Sequence, residues 1–308
     1  MLRYILFRIL QVIPVLLGTT FLIYFMVFAM PGDPIVAMFG DKTPNPAVLA
    51  KLREQYNLDQ PFIMQYLLYL KGMFVGDFGT SFSGQPVSSI LARTFPVTAA
   101  LAVMAIIIEF TLAVIIGLFS GLRKGKLFDN VNLIVGLLMM SVPIFVIAFI
   151  AQYFFTIKLS WFKTTVGSDV SFYSLLLPAI VLGVSLYATS MRLTRASVID
   201  TLNQDFVRTP YSKGLSRGRV IPVHVLRNSL IPTITNSAAN FGVLLVGATV
   251  TEGIFNVPGV GNTLYQAILR GENATVVSFV TVMVLLYLGV NLIIDLLYAV
   301  LDPRIRYV

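Results

Sequence analysis

The sequence predicts an all-α integral membrane protein with six transmembrane helices, and three observations carry that prediction. Hydrophobic residues make up 57% of the 308 and charged ones 12%, with a mean hydropathy of +0.85. A soluble domain carries roughly 25% charged residues. The apolar runs are about twenty residues long, enough to cross a bilayer as helix, and lack the ten-residue alternation of a barrel. The net charge of +8 follows the topology: loops assigned to the inside carry 14 Lys+Arg against 4 Asp+Glu, those assigned to the outside 8 against 8. Basic loops stay in the cytoplasm, so the excess charge is no nucleic-acid footprint.

The predicted spans are 9–30, 97–121, 131–155, 174–191, 230–250 and 275–300. The first follows Arg3 and Arg8 as a signal peptide would. It is too long, however, and ends in Met30-Pro31-Gly32-Asp33-Pro34 without a small-x-small cleavage site, so it reads as a retained span. An even count places both termini in the cytoplasm. The chain then divides into a stub and first span (1–30), an external helical segment (31–96), a membrane core (97–300) and a cytoplasmic C-terminus (301–308). The external segment is patterned. Asn45-Pro46 opens a helical run with Val48, Leu49, Leu52 and Tyr56 on one face, and Asp59-Gln60-Pro61 opens a second with Phe62, Ile63, Tyr66, Leu67 and Leu70 as its stripe. Gly76-Asp77-Phe78-Gly79 turns the chain, and 86–94 is a third short amphipathic piece. Such helices either cap the bundle or offer a docking surface to an external partner.

Polar residues inside the spans point to function or to interhelical bonding. Glu109, Ala113, Gly117 and Gly121 recur every four residues on one face of span two, where small residues admit a close neighbour, so Glu109 is expected to point into the bundle. It would serve either as a proton relay or substrate contact, or as an interhelical hydrogen bond. Span five carries Thr233, Asn236, Ser237 and Asn240, which either bridge helices or border a wet translocation pathway. Span six shows Tyr287, Asn291, Asp295 and Tyr298, with Asp295 expected to reach headgroups or pair with a basic residue of the 192–228 loop. That loop holds seven of the 22 basic residues, opposed by Asp200 and Asp205 alone. Within it Thr209 is a predicted N-cap, Pro210 a first-turn residue and Gly214 a left-handed closure, making a helical stub on the cytoplasmic face. After span five, Glu252, Phe255, Pro258, Gly259 and Gly261 form an external loop or gate whose glycines are expected to bend the backbone at membrane depth, followed by an amphipathic 264–269.

Catalytic chemistry is not expected. The chain has no cysteine and a single histidine, His224, which argues against a metal site. Gly121-Leu122-Arg123-Lys124-Gly125-Lys126 has the wrong spacing for a phosphate loop and is followed by Leu127. Energy for any pumping would arrive through a partner.

Arg208-Thr209-Pro210, then Gly214, then nine residues, then His224-Val225-Leu226, resembles the E-A-A-x-x-x-G-x9-I-x-L-P loop of binding-protein-dependent ABC importers. It departs at Arg208-Thr209-Pro210 for E-A-A, at His224 for Ile and at Arg227 for Pro. Met30-Pro31-Gly32-Asp33-Pro34, Gly76-Asp77-Phe78-Gly79, Glu252-Gly253-Ile254-Phe255, Pro258-Gly259-Val260-Gly261 and Asp302-Pro303-Arg304-Ile305-Arg306-Tyr307 are similar to the dipeptide/oligopeptide permease branch, with nickel and glutathione permeases close by. The resemblance implies a type I importer permease in a bacterial cytoplasmic membrane. It would pair with a second homologous permease, two cytoplasmic ATPases that bind the ATP and magnesium, and an external peptide-binding protein or lipoprotein. It also implies that Arg208, Thr209, Pro210, Tyr211, Ser212, Lys213, Gly214 and Leu215 form the coupling helix. A proton-driven secondary transporter and a membrane scaffold are the rivals.

Overall fold

Helix satisfies every backbone group within its own segment, which is what a chain in hydrocarbon requires, and the apolar runs are helical in the computed structural model. The structure describes residues 2–28, 46, 53, 59–81 and 84–301. The helical run expected from Asn45-Pro46, the Asp295 side chain and the residues after 301 lie outside the described ones. Four helices are long and apolar enough to cross a membrane, and six if each of two bent pairs counts as one span. The chain forms two compact units, Met1–Thr98 with Pro258–Val308, and Ala99–Val257.

In the first unit α1 (Leu2–Phe28) packs along α11 (Asn273–Leu301), and α2 (Phe62–Phe74) lies against both. Tyr24 of α1, Tyr66 of α2 and Val277 of α11 form the buried centre. The Thr20 and Tyr66 hydroxyls meet at 2.9 Å, and the Tyr69 hydroxyl donates to Thr281 Oγ1 at 2.6 Å. The predicted stripe of α2 is divided. Tyr66 is buried, whereas Ile63 and Leu67 are 63% and 51% exposed, so α2 shows an apolar face outward as well. The turn at Gly76 and Gly79 has φ of +78° and +75°, and Asp77 Oδ1 accepts from the Gly79 amide. Its Phe78 carbonyl accepts from Ser278 of α11 at 2.6 Å. Helix α10 (Val260–Leu269) completes this unit.

Residues 86–94 are not a separate piece. They open α3 (Val87–Leu122), whose 36 residues run through Pro96. A mid-helix proline strips the carbonyl four residues back of its donor. Here that carbonyl belongs to exposed Ala92, where it can be solvated. Span three is likewise not one straight helix. α4 (Leu127–Ser141) and α5 (Ile144–Gln152), which continues as a π-helical turn Tyr153–Lys158, meet at 101°. Val142 before Pro143 is extended at φ −87°, ψ 124°, because the proline ring excludes the helical conformation there.

The helix that carries predicted span four (174–191) continues past residue 191. α6 (Phe172–Leu202) starts at a Ser171–Ser174 capping box and carries Arg192 and Arg195 within it. The helix continues because Arg195 is neutralised: Asp129 of α4, fully buried, accepts from its Nε at 2.5 Å and from its terminal nitrogen at 2.7 Å. Asp129 also accepts from the Gly125 amide at 2.8 Å, where φ is +74°. α7 (Asp205–Ser212) and a broken helical stretch 217–229, with a π-helical turn at Ile221–Leu226, lead into α8 (Ile231–Val246) across a bend of 47°. Gly247, at φ 121°, ends α8 before α9 (Thr249–Ile254). The chain bends at Gly259, which is extended and caps α10, and Gly261 lies inside that helix; neither has a positive φ.

The stripe of small residues on α3 faces α6. A Cβ at Gly117 would lie 2.6 Å from Thr194 Cβ and 2.7 Å from the Met191 carbonyl oxygen, and one at Gly121 2.7 Å from Val198 Cγ1. Gly117→Ala should therefore cost about 1–3 kcal/mol, read as a lower melting temperature of detergent-solubilised protein. Gly18→Ala, with nothing within 4 Å, should stay within about 0.5 kcal/mol. Equal melting of the two variants would contradict the close approach.

Candidate functional site

The polar residues of α3, α6 and α8 converge on one carboxyl group. Glu109 has no exposed surface. Its Oε1 accepts from the Ser190 hydroxyl and its Oε2 from the Ser237 hydroxyl at 2.7 Å, and the Asn240 side chain bonds it as well. Asn236 Nδ2 donates to Ser190 Oγ at 2.8 Å, and one turn further along α6 the Thr194 and Thr233 hydroxyls meet at 2.7 Å. Each donor compensates part of the cost of burying a carboxyl group. Three helices are thereby fastened at one level. Ser190 escaped the sequence reading although it joins Glu109 to Asn236. Its signal was the four-residue spacing of Ser190, Thr194 and Val198, which repeats the spacing of Glu109, Ala113, Gly117 and Gly121 on the opposite helix.

The second place is α7. The helix begins four residues before the predicted cap: Gln204 occupies the N-cap, and the Thr209 hydroxyl donates to the Asp205 carbonyl at 3.0 Å. Pro210 therefore sits late in the helix and not in its first turn. Gly214 does close it, at φ +80°, with its amide on the Tyr211 carbonyl and the Leu215 amide on the Pro210 carbonyl at 3.1 Å. That pair of bonds is a Schellman closure, which leaves no floppy end. Val207 is 1% exposed and packs with Val198, Val220 and Val225, with Leu215 beside them. Phe206, Arg208, Thr209, Tyr211, Ser212 and Lys213 are exposed. α7 is thus a short, stiff helix held by one side and bare on the other.

The remaining sequence candidates lie elsewhere. Glu252 and Phe255 are buried in the 99–257 unit, where the Phe255 and Asn256 carbonyls accept from the amides of Val166 and Gly167. Pro258, Gly259 and Gly261 belong to the other unit, where the Val260 amide donates to Thr98 Oγ1 at 2.8 Å. Asn291 is half-buried in α11.

Glu109→Gln keeps a hydrogen-bonding head group and should melt within about 1 kcal/mol of wild type, whereas Glu109→Leu strands the Ser190 and Ser237 hydroxyls and should lose about 1–3 kcal/mol. Thermal unfolding in detergent distinguishes them, and an unchanged Leu variant would remove the fastening role.

Comparison with known proteins places this architecture. Residues 113–307 match the family model described as binding-protein-dependent transport system inner membrane component, and residues 1–102 match that of its N-terminal part. The chain is 34% identical over 310 residues to a putative peptide transport system permease protein of Brucella abortus (strain 2308), covering 98% of each. It is 32% identical over 334 residues to the dipeptide transport system permease protein of Alkalihalophilus pseudofirmus, and 34% identical over 308 residues to the glutathione transport system permease protein of Salmonella choleraesuis, covering 100% of each chain. The chain therefore belongs to the family of binding-protein-dependent transport system inner membrane components, as a multi-pass inner-membrane permease and not an enzyme.

Proposed function

We propose that this chain is one permease subunit of an ATP-driven peptide importer in a bacterial cytoplasmic membrane. It forms half of the translocation pathway and receives ATPase motion through α7. The observation that carries the reading is α7 itself, a closed helix anchored by Val207 and exposed along Phe206, Arg208, Tyr211 and Lys213. A rigid projection of this kind passes a push on to the helices that hold it, as in rigid-body switching. The relatives named for peptide, dipeptide and glutathione transport support the substrate class.

In this reading the two bent pairs complete six spans, both termini and α7 face the cytoplasm, and residues 31–96 form the external segment. The partners are a second homologous permease, two ATPases that bind the ATP and magnesium, and an external peptide-binding protein or lipoprotein. The chain itself binds no cofactor. Half-buried Asn236 and Asn240 border the pathway, while Glu109, Thr233 and Ser237 hold its wall together. Glu252 and Phe255, with Pro258, Gly259 and Gly261, serve the external gate.

The test is uptake in vesicles carrying the whole assembly. Gly214→Asp, which forces a side chain into a left-handed position and adds a negative charge beside the docking face, should lower ATP-driven peptide uptake at least tenfold while the permease still inserts. Wild-type flux in that variant would falsify the coupling role. Uptake by Glu109→Gln should follow the wild-type pH profile; a lost or shifted profile would favour proton coupling instead.

A further inference from the structure

Arg192 and Arg195 lie one turn apart on α6 and differ completely in their surroundings. Arg195 is paired with buried Asp129. Arg192 is exposed, and its recorded polar neighbour is the Met140 sulfur at 3.9 Å, a weak acceptor; among the described residues no carboxylate pairs with it. It lies ten residues, about 15 Å, inside the C-terminal end of its helix. Its guanidinium reaches Met140, near the C-terminal end of α4. An exposed guanidinium with no carboxylate beside it can accept an anionic ligand in bidentate fashion.

The space beside it has a shape. A groove of about 540 Å³ is lined by Leu133 and Met140 of α4 and by Thr189, Arg192, Leu193, Arg195 and Ala196 of α6. Thr189, Arg192, Leu193 and Ala196 stand on one face of α6, away from the Ser190, Thr194 and Val198 face that is buried. The groove therefore combines the Arg192 fork of donors, the Asp129-paired Arg195 and the Thr189 hydroxyl with otherwise apolar walls. A ligand that fits has an anionic end and a variable, largely uncharged body. Peptides share this form whatever their sequence, because every one ends in a carboxylate.

We propose that Arg192 is the counter-charge for the terminal carboxylate of a peptide in transit, with the groove between α4 and α6 holding its side chains. The inference rests on the peptide-importer reading above. Its test compares uptake of dialanine and its C-terminal amide by vesicles holding the complete transporter, with wild-type and Arg192→Gln permease. Preference imposed by the binding protein is common to both and cancels in the comparison. Loss of a charge-assisted hydrogen bond should lower uptake of the free acid about tenfold while uptake of the amide and assembly with the ATPases stay unchanged. Should that variant not assemble, Arg192→Lys, which keeps the charge but not the fork, should show a smaller loss confined to the acid. Equal loss of acid and amide, as expected of a lipid or subunit contact, or no loss of either, would overturn the proposal. Failure of wild-type vesicles to take up either peptide would instead overturn the importer reading, and this inference with it.

Discussion

A carboxyl group buried in an apolar bundle must find its donors within about 3 Å, and Glu109 finds them because α6 can lie directly against α3. Ala113, Gly117 and Gly121 make that approach possible; a single methyl at Gly117 would overlap Thr194. Close packing of small residues and satisfaction of the carboxyl are thus one constraint. The rest of the 99–257 unit follows from it: Ser190 brings in Asn236, Ser237 and Asn240 bring in α8, and the Thr194–Thr233 contact repeats the tie one turn on. α6 and α8 are therefore held together near the points from which the chain leaves for α7 and returns.

Breaks in the helices fall where the local chemistry allows them. Pro143 turns the chain by 101° between α4 and α5, and the π-helical turns at Tyr153–Lys158 and Ile221–Leu226 widen the backbone beside other breaks. Within a bilayer such irregular backbone survives only where protein or water satisfies it. Gln152, at the start of the Tyr153–Lys158 turn, donates to the carbonyl of Thr164 in the loop that follows, at 2.8 Å. Pro96 shows the opposite outcome. A proline within α3 leaves the helix continuous, since the carbonyl it deprives is at an exposed residue.

The same helix can carry charge for two purposes. Arg195 is structural: its bidentate bond to Asp129 closes the turn before α4 and lets α6 run on to Leu202. Among the described residues Arg192 has no such partner, and it lines a groove. α7 divides in a comparable way, with Val207 committed to the core and Phe206 and Tyr211, 47% and 37% exposed, left bare. Side chains without internal partners are what a subunit that works inside an assembly would present.

Composition, charge asymmetry and the length of apolar runs were enough to determine a helical membrane protein, because the absence of water leaves the backbone few alternatives. The four-residue repeat from Glu109 to Gly121 named the face of α3, and the φ of Gly214 followed from its place after a polar helix. Sequence reasoning ended α6 at Met191 because Arg192 and Arg195 look like a loop; a carboxylate 66 positions away in Asp129 decided otherwise. It started the stub at Thr209 because capping signals are local, while tertiary burial of Val207 sets where α7 sits. It could not tell Arg192 from Arg195, since neighbours in the chain share a composition and differ only in what the fold sets beside them. Periodicity is a property of one helix, and a hydrogen bond or an ion pair needs a second.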